Sequence, residues 1–203
     1  MVLVISAPSG TGKTTLINRL LKNDDRFMFS VSTTTRHKRN HEVEGFDYNF
    51  VTREVFLQMI EDGEFVEWAE VYGNYYGTTK KEVDRIKNSG RIPLFDVDIQ
   101  GARNLRERLE EGVFVLIIPP SAEILKKRLV GRKTESAEQL SLRLKNACSE
   151  ISQYSIFDYV IVNNEIDEAF KKLVAIITAE KCRMKNIEPI LGTILEGFDD
   201  YTT

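Results

Sequence analysis

The sequence predicts an α/β fold with a parallel sheet of five strands that is covered by helices on both faces. Five apolar runs of strand length recur along the chain, and most of them are continuous rather than alternating with polar residues. Such runs are typical of parallel strands that are buried on both faces. Helical patterns separate most of them, which indicates a doubly wound sheet. The predicted strands are residues 2–6, 29–32, 93–97, 113–118 and 159–163.

Helices are predicted where apolar residues follow each other at helical spacing. The first spans residues 14–22, directly after the first strand. The next begins at Thr79, where Glu82 three residues later completes a capping box. Further helices are predicted after Asp98 and from about Asp167. Together with the strands, these helices form the predicted core.

Two segments interrupt the alternation of strands and helices. Residues 33–78 are polar, turn-rich and aromatic, and they predict a small mixed insert with short strands around one helix at residues 54–61. Residues 121–152 are mostly helical and begin with a basic stretch. The predicted division is therefore a core of residues 1–32, 79–120 and 153–183, two attached modules of residues 33–78 and 121–152, and a tail of residues 184–203 that stays unassigned.

Composition and charge exclude several classes of protein. The net charge of −3 does not provide the broad positive field that non-specific binding to nucleic acid or a membrane surface needs. No apolar stretch approaches the roughly 18 residues of a membrane span. Cys148 and Cys182 lack the spacing of a metal or disulfide framework, and residues 1–5 do not resemble a signal peptide. We expect a cytoplasmic protein with two reduced thiols.

A phosphate-binding loop lies between the first strand and the first helix. Glycines let backbone N–H groups crowd a phosphate, and the start of a helix adds its positive end. Lys13 is predicted to contact the β- and γ-phosphates of ATP and Thr14 to ligate Mg²⁺. One departure is Ala7, which stands where the strict pattern has glycine. The residues predicted to bind ATP here are Ala7, Pro8, Ser9, Gly10, Thr11, Gly12, Lys13, Thr14 and Thr15.

The loop alone does not choose between a kinase, a switch GTPase and a motor ATPase. Asp96 and Asp98 follow a predicted strand, where a carboxylate could contact the water ligands of Mg²⁺, and we assign this role to Asp96. The other interpretation of the pair is that both carboxylates cap a helix. Residues 163–167 lack the lysine of the Asn-Lys-x-Asp run with which switch GTPases read guanine, which disfavours that class.

A second anion site is predicted in the insert. Residues 33–42 combine three threonines with Arg36 and Arg39, and Tyr48 follows. Arginine forks match phosphate oxygens two at a time, and hydroxyl groups complete the shell. The competing interpretation is a solvated basic loop. Because hydroxyl groups bracket the arginines, we favour binding of a phosphorylated acceptor.

Several motifs occur together, and in their order the chain resembles the guanylate kinase family from residue 2 to about residue 181. They are the phosphate loop, residues 30–36 (Ser-Val-Ser-Thr-Thr-Thr-Arg), 45–50 (Gly-Phe-Asp-Tyr-Asn-Phe), 67–68 (Glu-Trp), 74–78 (Asn-Tyr-Tyr-Gly-Thr) and 96–101 (Asp-Val-Asp-Ile-Gln-Gly). The resemblance implies transfer of a phosphoryl group from ATP to GMP or dGMP, with Mg²⁺ as cofactor. It also implies that residues 33–78 bind GMP and that residues 121–152 form a mobile lid.

The resemblance also implies individual roles. The GMP phosphate would be held by Ser32, Arg36, Arg39, Tyr48 and Tyr76, and guanine would be read by Glu67, Thr78 and Asp98. The lid arginines would be Arg132 and Arg143, with Arg128 as a further candidate, and Asn163 would lie near the adenine. The catalytic set would be Lys13, Arg36, Arg132 and Arg143. Lys38, His41 and Lys133 depart from the family pattern, which bears on loop rigidity.

Two alternatives to a guanylate kinase stay open at this point. One is a related kinase that acts on another phosphorylated acceptor, such as a ribose bisphosphate, although the pair of Glu67 and Thr78 favours a base. The other is a non-catalytic binding module of guanylate-kinase type, although Lys13 and Thr14 keep the phosphate loop intact. The sequence predicts no oligomeric state.

Overall fold

The computed structural model describes residues 1–71, 73–109, 111–130 and 137–199. Their strands are β1 (Leu3–Ser6), β2 (Phe27–Phe29), β3 (Thr33–Thr34), β4 (Asn49–Phe50), β5 (Phe65–Val71), β6 (Asn74–Thr79), β7 (Ile92–Asp96), β8 (Val113–Ile118) and β9 (Tyr159–Val162). Their helices are α1 (Lys13–Asn23), α2 (Arg53–Glu61), α3 (Lys80–Asn88), α4 (Ile99–Arg108), α5 (Ala122–Val130), α6 (Ala137–Ile151), α7 (Ile166–Lys181) and α8 (Met184–Asp199), with a 3₁₀ turn at Tyr154–Ile156.

The central sheet is parallel and has the order β2-β7-β1-β8-β9, which confirms the predicted fold class. β1 lies in the middle and is buried on both faces. Leu3 and Ile5 pack with residues of α1 and α7, whereas Val2 and Val4 pack with residues of α3 and α4. Successive side chains of a strand point to opposite faces, so the continuous apolar run serves two cores.

A second, mixed sheet forms within residues 33–79, with the order β4-β3-β6-β5. The helix α2 packs on it and begins at Thr52, whose hydroxyl group accepts a hydrogen bond from the N–H group of Val55. The ring of Phe56 is fully buried and stacks against Phe65 and Tyr75, at 4.4 and 5.4 Å between ring centroids. The aromatic residues of this segment therefore provide a small core of their own.

Two helices of the main core begin at polar residues, as predicted. The hydroxyl group of Thr79 accepts a hydrogen bond from the N–H group of Glu82 (3.2 Å), and Asp98 Oδ1 accepts one from Gly101 (2.8 Å). The second contact of the predicted capping box, between the Glu82 carboxylate and the backbone N–H group of Thr79, is wrong. The Glu82 carboxylate accepts instead from the N–H group of Val31 (3.0 Å) and pairs with Arg85. It therefore ties α3 to the chain that leaves the central sheet.

Other boundaries also differ from the sequence prediction. The second strand is residues Phe27–Phe29 rather than 29–32, because these residues pair in register with Ile92–Leu94 of β7. The tail left unassigned forms α8, whose Ile190, Ile194, Leu195 and Phe198 are exposed. Among the described residues, no helix has the length and apolar character needed to cross a membrane.

Candidate functional site

The phosphate loop connects β1 to α1, as predicted. Gly10 and Gly12 both have positive φ, at 85° and 97°, and Gly12 stands directly before the first residue of α1. This backbone conformation is costly for residues with a Cβ atom. The requirement for glycine at these two positions therefore comes from the fold of the loop itself.

The loop is held from two sides. The buried amide of Asn163, after β9, donates a hydrogen bond to the carbonyl oxygen of Thr11 (2.6 Å). A Cβ atom on Gly12 would lie 2.5 Å from Asn163 Nδ2, and one on Gly10 would lie 2.9 Å from Cδ2 of Leu129 in α5. The two glycines thus let the loop pack closely against the end of β9 and the α5 helix.

Lys13 reaches across to the end of β7. Its amine forms an ion pair with Asp96 and donates a hydrogen bond to the carbonyl oxygen of Val97 (3.1 Å). Both partner groups are partly exposed, and the neighbouring Thr14 is exposed at the start of α1. Lys13, Thr14 and Asp96 therefore surround the point where the loop meets the carboxyl end of the sheet, the usual ligand-binding edge of such folds.

A cavity of about 410 Å³ opens between the end of β7 and the second sheet. This volume suits a small-molecule ligand. Lys13 and Asp96 line it, so it is continuous with the phosphate loop. Five residues predicted to bind the acceptor also line it, namely Ser32, Tyr48, Glu67, Tyr76 and Asp98.

At one end of the cavity lies a buried carboxylate, Glu67, which is only 3% exposed. Its burial raises its pKa to about 7, contacts with Thr78 offset part of this rise, and the negative charge of Asp98 adds to it. The Thr78 hydroxyl group is buried beside it but makes no hydrogen bond of normal geometry to a described residue. A Cβ atom on Gly101 would lie 3.4 Å from Glu67 Oε2, so Gly101 lets α4 approach this carboxylate.

Arg36 lies next to Tyr48, which lines the cavity, and is paired with Glu42. Its Nη2 and Nη1 atoms donate to the two carboxylate oxygens of Glu42 at 2.6 and 3.1 Å, and Nη1 also donates to the His37 carbonyl oxygen at 2.7 Å. The backbone N–H group of Arg39 donates to the same carboxylate at 2.8 Å. These hydrogen bonds, above all those from Arg36, lower the pKa of Glu42 to about 2.

Two aromatic rings lie beside the guanidinium group of Arg36. The Tyr48 and Phe50 ring centroids lie 5.3 and 5.8 Å from its central carbon. Tyr76 meets Tyr48 edge to face at 6.0 Å, and burial raises the pKa of the Tyr48 phenol. The cavity therefore has an acidic end at Glu67 and an end lined by phenol groups beside an arginine.

The family profile described as guanylate kinase matches residues 1–180. The chain belongs to the guanylate kinase family. A guanylate kinase from Clostridium perfringens (strain SM101 / Type A) is 44% identical over 200 residues, which cover 98% of this chain and 91% of that protein. One from Nitratidesulfovibrio vulgaris (strain Hildenborough) is 47% identical over 200 residues, covering 98% of this chain and 97% of that protein. The crystal structure of guanylate kinase from Anaplasma phagocytophilum superposes with a TM-score of 0.72 at 38% identity, covering 90% of this chain and 87% of the other.

Two residues of this guanylate kinase family member that are expected to bind ATP make hydrogen bonds with other residues of the protein. Arg128 donates hydrogen bonds to the carbonyl oxygens of Asn163 and Asn164, both at 3.0 Å. Asn163 is buried against the phosphate loop, and its Oδ1 atom has no hydrogen-bond partner among the residues that the structure describes. Contacts of either residue with ATP stay predictions.

The remaining predicted residues divide into three groups. Arg39 contributes a backbone contact, while its side chain is exposed. Arg143 lies on α6, and Arg132, like Lys133, lies outside the described residues. The exposed Thr15 follows Thr14 on α1, and Ala7, Pro8 and Ser9 precede the two glycines of the loop. Their roles in this guanylate kinase family member are untested expectations.

Sequence reasoning assigned no role to Glu42 or to Glu150. Glu42 stands at the end of the predicted basic loop, where its pairing with Arg36 depends on the turn between them. The half-buried Glu150 on α6 has a raised pKa because of burial, with Asp98 and Lys13 as charged neighbours. Its position seven residues after Arg143 places both on one face of the helix. That spacing is the one signal in the sequence that could have indicated it.

Proposed function

We propose that this protein transfers the γ-phosphate of ATP to GMP, giving ADP and GDP. The observation that carries the proposal is the cavity beside Lys13, which is lined by the buried Glu67 carboxylate and by Tyr48, with Arg36 next to the Tyr48 ring. Guanine offers two adjacent donors, N1–H and the 2-amino group, which one carboxylate can accept side by side. An arginine beside phenol groups suits the phosphate of the same ligand.

The chemistry of such a transfer requires positioning and charge neutralisation more than covalent catalysis. The acceptor is a phosphate oxygen of GMP, which is mostly ionised at neutral pH because its second pKa is about 6. No general base is therefore needed. In the proposed mechanism, Arg36 and Arg39 bring the acceptor in, while Lys13 and the lid arginines Arg132 and Arg143 offset charge on the transferred group.

The side chains around Lys13 fit a Mg²⁺ ion that arrives with ATP. No group of three or more His, Cys, Asp or Glu that could hold a metal occurs among the described residues, so a resident protein-only site is not indicated there. Mg²⁺ prefers one or two protein oxygen ligands together with substrate phosphates. The exposed Thr14 hydroxyl group provides such an oxygen atom, and the Asp96 carboxylate can accept hydrogen bonds from water ligands of the ion. When bound, the ion would neutralise phosphate charge.

The attached segments receive their roles under the same proposal. Residues 33–78 bind GMP, and residues 121–152 close over ATP as a lid. Both segments move relative to the core, and the protein acts in the cytoplasm. The unpartnered Oδ1 atom of Asn163 suits the amino group of adenine. We expect dGMP to be a second acceptor. The residues assigned to GMP contact its phosphate and its base, and none of them is assigned to the ribose 2′-hydroxyl group.

One assay separates the candidate functions. ADP release is measured with ATP and each of GMP, dGMP, AMP and ribose bisphosphates. GMP and dGMP should support turnover, and AMP and the sugar phosphates should not. Turnover with a ribose bisphosphate instead would indicate a related kinase. GMP binding by calorimetry without any ADP release would indicate a binding module and reject the proposed reaction.

A further inference from the structure

Arg36, the arginine on the acceptor side, is held by the carboxylate of Glu42, to which no role has been assigned so far. Glu42 is 7% exposed, and its two oxygen atoms accept three hydrogen bonds, two from Arg36 and one from the backbone of Arg39. The bonds from Arg36 are in the fork-to-fork arrangement, which constrains direction as well as distance. A surface ion pair would not need this geometry.

The pairing with Glu42 leaves one edge of the guanidinium group for a ligand, beside the Tyr76 phenol, which also interacts with Arg36 and lines the acceptor cavity. Arginine has five N–H donors in a rigid plane. Glu42 and the carbonyl oxygen of His37 accept from two donors of Nη1 and one of Nη2. The donors that remain are Nε–H and the second N–H of Nη2, which form the side edge of the group. Two parallel donors of this kind match two phosphate oxygens.

Two aromatic rings beside the guanidinium group restrict it further. Tyr48 and Phe50 lie within 6 Å of its central carbon, and Tyr48 lines the acceptor cavity. A guanidinium fixed by a carboxylate and packed beside two rings loses little rotational freedom when a ligand binds. Affinity gained in this way comes from preorganisation.

We propose that Glu42 is a positioning residue for the acceptor phosphate: it orients Arg36 so that its free edge faces that phosphate. This inference rests on the proposed function, since the phosphate belongs to GMP. Glu42 does not touch the ligand and acts through Arg36.

The test compares GMP with guanosine, which lacks the phosphate. In Glu42→Gln, the amide retains one acceptor oxygen and turns an N–H group towards donors of Arg36. Loss of a hydrogen bond to a charged group corresponds to a weakening of GMP binding by about 10- to 100-fold. Guanosine affinity and the KM for ATP should stay within about twofold of wild type, because Glu67 and the phosphate loop are unchanged.

Glu44→Gln is the matched control. Glu44 lies in the same loop, is exposed, and accepts only a backbone hydrogen bond, from Phe50. It should leave GMP affinity within about twofold of wild type. Equal losses for GMP and guanosine in Glu42→Gln, or an equal loss of GMP binding in Glu44→Gln, would show that Glu42 only maintains the fold of the insert, and would overturn the proposal.

Two further measurements keep the proposal testable. If Glu42 acts through Arg36, the double variant Glu42→Gln/Arg36→Lys should bind GMP no more weakly than Arg36→Lys, whereas additive losses would contradict it. Should Glu42→Gln fail to fold, NMR of the wild type decides: the Arg36 Nε–H resonance should shift with GMP and not with guanosine. Turnover of GMP by the wild type is measured alongside, since its absence rejects the proposed function, whereas turnover with additive losses rejects only the role of Glu42.

Discussion

The two phosphate-binding regions of this molecule are built from different parts of the chain. The donor side is a backbone structure, in which Gly10 and Gly12 adopt positive φ and Asn163 fixes the loop from β9. The acceptor side is a set of side chains, in which Arg36 is oriented by Glu42. A site built from the backbone allows few residue types at its positions, but those positions are consecutive in the sequence. A side-chain site is assembled from distant segments and can be tuned one residue at a time.

The two regions also differ in how firmly the protein holds them. The phosphate loop packs against buried Leu129 and Asn163. The loop after Arg36 carries Val43 and Phe46, which are 57% and 74% exposed. Exposed loops with few buried apolar contacts are the parts of a protein that open and close most easily. We therefore expect the donor side to be preformed and the acceptor side to adjust when GMP binds.

The largest effect is expected on the donor side. Lys13→Ala should lower kcat by about 1,000-fold or more, because it removes the charge that offsets the transferred phosphoryl group. GMP affinity should change little, since in the empty site Asp96 already neutralises Lys13. The measurements are steady-state kinetics and calorimetry with GMP, with Lys22→Ala, on the exposed end of α1, as the control. A collapse of GMP affinity would show that the two regions are not independent.

Base choice tests the acceptor side. A site that hydrogen-bonds a substrate group can reject an analogue that lacks it by roughly 10⁴-fold, so the wild type should prefer GMP over AMP by about that factor. Glu67→Gln should lose about 100-fold of this preference, mainly through weaker use of GMP, because an amide offers a single acceptor oxygen.

The quantity to compare is kcat/KM for GMP and for AMP. Glu70→Gln is the control, because Glu70 is exposed on the same strand. If the ratio of GMP to AMP stays unchanged in Glu67→Gln, Glu67 does not read the base, and the acceptor cavity needs another explanation.

The pH dependence of GMP binding should carry the signature of Glu67. Burial raises its pKa to about 7, and guanine requires the ionised form because both guanine groups are donors. GMP affinity should therefore fall by about tenfold from pH 8 to pH 6 beyond the part that Glu67→Gln retains, while ATP affinity changes little. A variant with the same pH profile as the wild type would contradict this. The phosphate of GMP titrates identically in both proteins.

The free energy of unfolding, measured without ligands, should depend on pH in the opposite direction. Because the folded state raises the pKa of Glu67 above its ordinary value of 4.5, the folded protein holds this proton more tightly than the unfolded chain. The resulting stabilisation is present below pH 4.5 and is lost as the pH rises through 7, by about 3 kcal/mol. Chemical denaturation of wild type and Glu67→Gln between pH 5 and 8 measures the difference, which should disappear in the variant.

The smallest expected effect is a shortening of the distances between the two attached segments and the core. Residues 33–78 and 121–152 should move towards a stationary sheet when an ATP analogue and GMP bind together, because closure excludes water from the transfer. Distances between spin labels on α2 and α7 and between labels on α6 and α7 should shorten with both ligands. Identical distances with and without ligands would show that the acceptor side is as preformed as the donor side.

The sequence predicted the features that depend on short stretches of chain. The central strands and the phosphate loop follow from local apolar runs and from glycine spacing, and both are present. The apolar residues of the tail show no strong periodicity, so the sequence predicts no element there, whereas the chain forms α8. Helix propensity is a weak guide where tertiary contacts or length compensate.

The candidate site was predicted less completely, for a physical reason. Residue types indicated that Arg36 binds an anion, and the family resemblance implied that Glu67 accepts from guanine. Neither indicated that Glu42 accepts three hydrogen bonds with its two oxygens. Likewise, Arg128 is basic and was assigned to ATP, whereas the fold brings two carbonyl oxygens within 3.0 Å of it. Pairings between residues far apart in sequence depend on the fold, and composition does not contain them.

The position of β1 has a consequence for synthesis of the chain. This strand emerges first, yet its partners in the sheet are β7 and β8, and Leu3 pairs with Leu94 and Val113. At about 5–20 residues per second, the ribosome needs on the order of 5–20 s to deliver β8 after β1. Meanwhile the antiparallel β5 and β6 can already pair, since they are close in sequence. The acceptor region can thus fold on the ribosome while the central strand of the core is still without its neighbours and accessible to chaperones.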